Sequence, residues 1–159
     1  MSHYRFVSTW ATHVPPERCW SILERSLRDG RIAWWPQVEI HGVGIRGADG
    51  GGTVRVEPDE PLRMRVRSPL GYALEVELRL TEVEAPRRLA ARSRGDLDGG
   101  GTLDIHRTED GSDLVWTWTV TPRRRWMRVT GPLLRPAFAA AHTAVMRRGE
   151  RGFRRAVGA

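Results

Sequence analysis

The chain has 159 residues, of which 40% are hydrophobic, and this predicts one globular domain spanning residues 1–159 with a substantial core. It contains no run of about 18 apolar residues, and the residues after Met1 form no apolar signal region. We therefore predict neither a transmembrane segment nor a signal peptide. The single cysteine, Cys19, excludes an internal disulfide and fits a reducing, cytoplasmic compartment.

The basic residues are concentrated in the C-terminal part of the chain. All 26 of them are arginines, and the formal net charge is +7. Residues 123–159 contain ten arginines and one acid, Glu150, whereas residues 1–122 carry a small net negative charge. A basic face can attract nucleic acid or an anionic membrane, although a solvated outer helix face is the simpler interpretation.

The first predicted elements are a strand, two short helices and then a run of strands. Alternation from Tyr4 to His13 indicates a strand, and Pro15–Glu17 has the proline and acid typical of a helix start. A second short helix is predicted from Arg31 to Trp35, ended by Pro36. Later strands are predicted at residues 38–45, 53–57, 62–67, 72–80, 88–94, around 103–105 and 114–120.

The alternation of apolar and charged residues predicts which side chains of these strands face inward, and the glycine clusters predict turns. Tyr72, Leu74, Val76, Leu78 and Leu80 should face inward, because they alternate with charged residues. The strand at 62–67 alternates apolar residues with Arg63, Arg65 and Arg67, which indicates an edge strand with its arginines outward. Glycine clusters at 47–52 and 99–101 indicate turns.

The last predicted element is a long helix from about Pro136 to Arg155. Its apolar residues recur every three or four positions and lie on one face, namely Phe138, Ala141, Val145, Met146 and Phe153. His142 lies within this apolar stripe. One long helix after a run of antiparallel strands must bury its stripe against the sheet, so we predict an α+β fold.

Several local motifs, in this order, resemble one superfamily. They are Thr9-Trp10, Val14–Trp20, Trp34–Pro36, Gly95–Gly99, Trp116–Val120 and His142–Gly152. The chain resembles the START/Bet v 1-like (SRPBCC) superfamily, and within it the bacterial polyketide cyclase/dehydrase and lipid-transport family. The resemblance implies a helix-grip fold, in which about six or seven curved antiparallel strands wrap around a long C-terminal helix, with two short helices after the first strand. It also implies a pocket between sheet and helix.

The aromatic residues are the candidate lining of that pocket. Flat aromatic walls suit a planar, largely apolar ligand, although plain core packing is the alternative for each tryptophan. One residue of the Trp34-Trp35 pair is a candidate gate at the pocket entrance that the resemblance implies. The candidate ligand-binding residues are Trp10, Trp35, Tyr72, Trp116, Trp118, Phe138 and Met146.

His142 is the candidate catalytic residue. An imidazole titrates near neutrality and can donate, accept or shuttle a proton in an enolisation, aldol closure or dehydration. The alternative is a histidine hydrogen-bonded to a backbone carbonyl. No second acid or base is obvious on an inner face, where the hydroxyls of Tyr4, Tyr72, Ser8 and Ser93 are weak candidates. Cyclases of this superfamily are expected to place an arginine inside the cavity, whereas Arg63, Arg65 and Arg67 should face outward.

Three functions remain open from the sequence. The first is binding of a small hydrophobic or aromatic molecule, similar to a polyketide or lipid, by a monomer or homodimer. The second is a cofactor-independent polyketide cyclase or dehydratase with His142 as acid/base. The third is a surface binder of nucleic acid, without sequence specificity, or of anionic membrane through the arginine-rich region. We expect no cofactor and no metal, because the histidines and the single cysteine show no ligand spacing.

Overall fold

The alternating segments form a single antiparallel sheet that curls around the long helix. The computed structural model describes residues 3–42 and 61–158. In chain order their elements are β1 (Tyr4–Thr12), α1 (Pro16–Arg28), β2 (Val38–Gly42), β3 (Leu62–Arg67), β4 (Ala73–Glu84), β5 (Arg88–Gly95), β6 (Leu97–Arg107), β7 (Ser112–Pro122) and α2 (Arg125–Gly158). The strand order is β1-β7-β6-β5-β4-β3-β2, with every neighbouring pair antiparallel. The predicted helix-grip α+β fold is confirmed.

Two clusters of buried side chains hold α2 against the sheet. Near the start of the helix, Met127 and Phe138 pack with Tyr4 and Val120 of the first and last strands. Towards its end, the helix packs into a larger cluster that also includes buried residues of α1 and of β1, β2, β6 and β7. The members from the helix are Val145, Met146, Phe153 and Val157. Burial along most of the helix therefore fixes α2 across the concave face.

The long helix begins at Arg125, earlier than the predicted start at Pro136. Both Pro132 and Pro136 lie inside it, and each removes a backbone donor that would otherwise bond within the helix. Burial of Met127 and Gly131 on the sheet side supplies tertiary packing that offsets this cost. Local propensity alone therefore placed the start too late. Within the described residues, no helix is long and apolar enough to span a membrane.

The predicted second short helix, Arg31–Trp35, is wrong. Gly30 adopts a left-handed conformation (φ 61°) and ends α1, which leaves few residues before Pro36. This segment forms turns, with the Trp35 amide donating to the Ile32 carbonyl at 3.2 Å. Five residues between a terminating glycine and a proline allow at most one i→i−4 bond, which is too few to nucleate a helix, and the Trp35 amide makes an i→i−3 bond instead.

The prediction that residues 62–67 form an edge strand is also wrong. The strand β3 lies between β2 and β4, although its arginines face outward as expected. Arg65 pairs with Glu75 of β4 at 3.4 Å, and Arg67 pairs with Glu39 of β2 at 2.8 Å. The alternating arginines mark the outer face of an inner strand, because cross-strand acids complement them.

The glycines at 99–101 lie within strand β6, where we predicted a turn. Gly101 is opposite Trp118 of β7, and a Cβ at Gly101 would lie 2.8 Å from the indole ring. Glycine is therefore used here for close approach of a tryptophan to the backbone. The predicted turn at 47–52 and strand at 53–57 lie outside the described residues, as does the part of the predicted 38–45 strand beyond residue 42.

Candidate ligand-binding site

A cavity of about 270 Å³ lies between the concave face of the sheet and α2. One wall consists of Tyr72, immediately before β4, and the inward residues of that strand, as the alternation predicts: Leu74, Val76, Leu78 and Leu80. The opposite wall comes from α2 and consists of Met127, Phe138, Ala141, His142, Val145 and Met146. None of the described lining residues carries a formal charge, so the cavity is lined almost entirely by apolar side chains.

Most of the predicted ligand-binding residues lie on the cavity wall. Those that do are Trp35, Tyr72, Trp116, Trp118, Phe138 and Met146, and His142 lies there as well. The structure therefore brings together residues from β7, α2, the turn after α1 and the position immediately before β4. Whether they contact a ligand stays a prediction.

Trp10 is the exception, because it lies in the core and does not line the cavity. Its side chain is 1% exposed, and its ring centroid lies 4.8 Å from that of Trp116 and 5.4 Å from that of Trp35. Phe153 of α2 covers it further, at 5.9 Å. The inward parity of Trp10 is correct, but its ring packs against Trp35 and Trp116, which line the cavity in its place.

Two glycines of α2 lie directly against the Trp34-Trp35 pair. A Cβ at Gly149 would lie 2.5 Å from the Trp35 ring, and a Cβ at Gly152 would overlap the Trp34 carbonyl. The helix backbone can therefore approach the tryptophan pair closely. Trp35 then donates its indole N–H to the Val145 carbonyl at 3.0 Å, which fixes the ring as part of the wall.

Trp34 is held by a different contact. Its indole N–H donates to the Ser26 hydroxyl at 2.9 Å, and that hydroxyl donates to the Ile22 carbonyl within α1. Trp34 also lines the cavity. Both tryptophans of the pair are therefore anchored wall residues, and a gating role for either stays a prediction.

His142 faces the cavity from the middle of the helical wall. Its ring stacks on Phe6 of β1 with centroids 4.0 Å apart and planes 13° apart. Burial lowers the pKa of His142 to about 4, because the apolar surroundings disfavour the charged imidazolium. The imidazole is therefore neutral at pH 7. No hydrogen-bond partner for it occurs among residues 3–42 and 61–158, so the backbone-carbonyl alternative finds no support there.

Two other polar groups on the wall lack partners within the described parts of the chain. They are the Tyr4 hydroxyl and the Trp116 indole N–H, both fully buried. Burial raises the pKa of Tyr4, so its hydroxyl stays protonated and can donate. Tyr4 was a weak sequence candidate, whereas the free indole N–H of Trp116 had no sequence signal beyond its inward parity.

The two other candidate hydroxyls, those of Ser93 and Ser8, do not offer an unpaired polar group on the cavity wall. The Ser93 hydroxyl is buried but donates to the Leu97 carbonyl at 2.7 Å, and Ser8 does not line the cavity. Arg63, Arg65 and Arg67 are exposed on the outer face, so none of them supplies a cationic group inside the cavity. Within the described residues, no three His, Cys, Asp or Glu side chains cluster closely enough to hold a metal ion.

The curled sheet, the long helix and the cavity between them define a protein of the helix-grip class. The chain belongs to the family described as polyketide cyclase/dehydrase and lipid transport, whose sequence profile matches residues 4–158. No curated protein shows a significant match to the chain.

Solved structures share this fold at low sequence identity. The di-domain ARO/CYC protein BexL from the BE-7585A biosynthetic pathway superposes with a TM-score of 0.65 at 15% identity, covering 99% of this chain and 50% of that one. A protein from Thermus thermophilus gives 0.63 at 17% identity, covering 98% of this chain and 99% of the other. A protein from Chromobacterium violaceum gives 0.61 at 14%, covering 98% and 96%. At these identities the likeness shows the fold alone.

Proposed function

We propose that this protein binds a small, uncharged, largely apolar molecule in the cavity between the sheet and α2. The cavity lining carries the proposal, because its described residues include no charged group and only a few polar atoms. An ionised ligand would lose its hydration there without gaining a charged partner. The family description and the ARO/CYC neighbour agree with an aromatic or lipid-like ligand.

The cavity volume limits the size of this ligand. An engineered protein cavity of about 150 Å³ holds benzene, so a cavity of about 270 Å³ holds roughly two fused rings or an acyl chain of similar bulk. One polar group that faces the cavity limits its chemistry, since the His142 imidazole can donate or accept. The Tyr4 hydroxyl and the Trp116 N–H are enclosed by protein atoms. A ligand with a carbonyl or hydroxyl oxygen next to His142 satisfies this imidazole.

Binding of 2-naphthol and naphthalene tests the proposal directly. Both have two fused rings, and only 2-naphthol offers an oxygen to the His142 imidazole. We expect both to bind with 1:1 stoichiometry, 2-naphthol more tightly by about fivefold, since one buried hydrogen bond is worth about 1 kcal/mol. Native mass spectrometry of freshly purified protein would identify any co-purified ligand.

A matched pair of variants separates cavity binding from surface binding. Ala141→Phe puts a ring into the cavity, whereas Ala140→Phe puts the same ring on the exposed side of the helix. We expect Ala141→Phe to abolish binding and Ala140→Phe to leave it unchanged. Equal effects of the two substitutions, or no binding of either probe, would contradict the proposal.

The second candidate function is a cofactor-independent cyclase or dehydratase. One observation favours it, namely that His142 is an unpartnered neutral imidazole facing the cavity. Such a group can remove a proton next to a ligand carbonyl. If the protein is such an enzyme, His142→Gln should abolish turnover of a bound β-polyketone. If the protein is a carrier, the same variant should keep the affinity for its ligand within a few fold. Unchanged turnover in this variant would exclude His142 as the base.

A further inference from the structure

The first turns of α2 carry an apolar stripe on their solvent side. Trp126, Val129 and Leu133 are 41%, 71% and 86% exposed and follow one another at spacings of three and four, so they lie on one face. Met127 and Gly131 occupy the opposite face and are buried. This segment therefore has two apolar faces. The outward one contacts the rest of the protein through the Trp126 ring, while Val129 and Leu133 protrude into solvent.

Arginines border this outward stripe. At about 100° per residue, Arg125 lies next to the stripe and Arg128 lies farther round on the same side. Arg135 follows on that side but donates to the His3 carbonyl at 3.0 Å and lies over the Tyr4 ring. Residues 123–135 contain five arginines and no acid. Of these, Arg125 and Arg128 form no ion pair with any residue in the described parts of the chain, so their charge is available to a partner.

We propose that residues 125–135 of α2 dock on an anionic lipid surface. Protruding valine and leucine side chains insert into the acyl boundary, while the arginines beside them contact lipid headgroups. Tryptophan at the edge of such a face suits the membrane interface. Nucleic acid would use the arginines and leave Leu133 exposed to water, so the combination of charge and protruding apolar side chains favours a membrane.

The docking surface adjoins one end of the cavity. The Trp126 ring packs on Tyr72 at 5.3 Å and on Phe138 at 5.9 Å, and both of these residues line the cavity. Docking through Trp126 therefore brings that end of the cavity next to the membrane. This inference does not require the proposed ligand, because the surface is defined by exposed side chains alone.

Co-sedimentation with lipid vesicles tests the proposal. We expect the protein to bind vesicles of phosphatidylglycerol and phosphatidylcholine and to bind pure phosphatidylcholine much more weakly. Val129→Ser with Leu133→Ser should weaken binding to the anionic vesicles at least tenfold. Arg125→Gln with Arg128→Gln should weaken it about thirtyfold, since each arginine near an anionic surface contributes roughly fivefold.

Matched controls use the same changes elsewhere on the molecule. Arg147→Gln with Arg151→Gln removes two exposed arginines from the other end of α2, and Val7→Ser with Val83→Ser removes two exposed valines from the sheet. We expect less than a threefold effect from either control pair. All positions are exposed, so circular dichroism should show unchanged folding.

Several results would overturn the proposal. They are vesicle binding that is insensitive to the Val129 and Leu133 substitutions, binding lost equally in the control pairs, or binding to duplex DNA in place of vesicles. Self-association that the Leu133 substitution abolishes, without vesicle binding, would identify the stripe as an interface between copies and would also overturn it. Affinity for 2-naphthol in the Val129 and Leu133 double variant should stay unchanged, so failure of docking is distinguishable from failure of ligand binding.

Discussion

Replacing His142 with leucine should reduce the loss of folding stability that the protein suffers as the pH falls from 7.5 to 5. The pKa of His142 is lowered to about 4 by burial, whereas an unfolded histidine has an ordinary pKa of about 6.5. The unfolded chain therefore binds more protons between these two values. Stability from this site is fully present above about pH 6.5 and is lost as the pH falls towards 4.

The expected size of this effect follows from the difference in pKa. At 1.36 kcal/mol per unit, the complete loss is about 3 kcal/mol, and about 2 kcal/mol of it is already lost at pH 5. Leucine suits the apolar stripe between Phe138 and Met146 and has no proton to bind. We therefore expect the variant to be as stable as the wild type, or more stable, at pH 7.5.

Urea unfolding at pH 7.5, 6.0 and 5.0 measures the effect. Carboxylates also titrate in this range, so the informative quantity is the difference between wild type and variant at each pH. Between pH 7.5 and 5.0 the wild type should lose about 2 kcal/mol more than His142→Leu. His106→Gln, at an exposed position on the outer face of β6, is the matched control and should retain the wild-type pH dependence. If wild type and His142→Leu lose stability in parallel, the imidazole accepts a proton without cost and does not lie in an apolar wall.

Three further substitutions test the packing around the cavity. Gly152→Ala should destabilise the fold by about 3 kcal/mol or more in thermal unfolding, because the added methyl would overlap the Trp34 carbonyl; retained stability would contradict the close approach of α2. Gly158→Ala meets no atom within 4 Å and is its control, with an expected change within about 1 kcal/mol. Tyr4→Phe should leave stability unchanged or raise it by about 1–2 kcal/mol, since it removes a buried hydroxyl without a partner; a large loss would reveal a hydrogen bond there.

The sequence predicted those parts of the fold that depend on which face a residue occupies. Alternation in residues 72–80 placed five side chains on the cavity wall, and the spacing in the last helix placed Phe138, His142 and Met146 there as well. These predictions succeed because a two-residue or 3.6-residue period is a local property of the chain. The position of β3 inside the sheet was missed, since strand order depends on pairing partners that a local pattern does not encode.

The side of the strand on which a residue lies does not by itself predict whether that residue lines the cavity. Trp10 and Trp116 share an inward parity, yet only Trp116 reaches the cavity. What separates them is the cover over Trp10, which packs against Phe153 of α2 and the Trp34-Trp35 pair. Gly149 and Gly152 allow α2 to contact that pair closely. The glycines are visible in the sequence, but their partners are more than a hundred residues away along the chain.

The two candidate functions place opposite demands on His142. A carrier needs a neutral group that can donate to or accept from a ligand oxygen, and burial in an apolar wall supplies this without further help. A general acid needs a bound proton, yet at pH 7 a pKa of about 4 leaves only about one imidazole in a thousand protonated. A general base needs proton affinity, which the same burial weakens. Catalysis would therefore require the reacting ligand to raise this pKa as negative charge develops on its oxygen, and binding requires no such change. Under the proposed function, the apolar lining that would select an uncharged ligand is thus also the feature that favours binding over turnover.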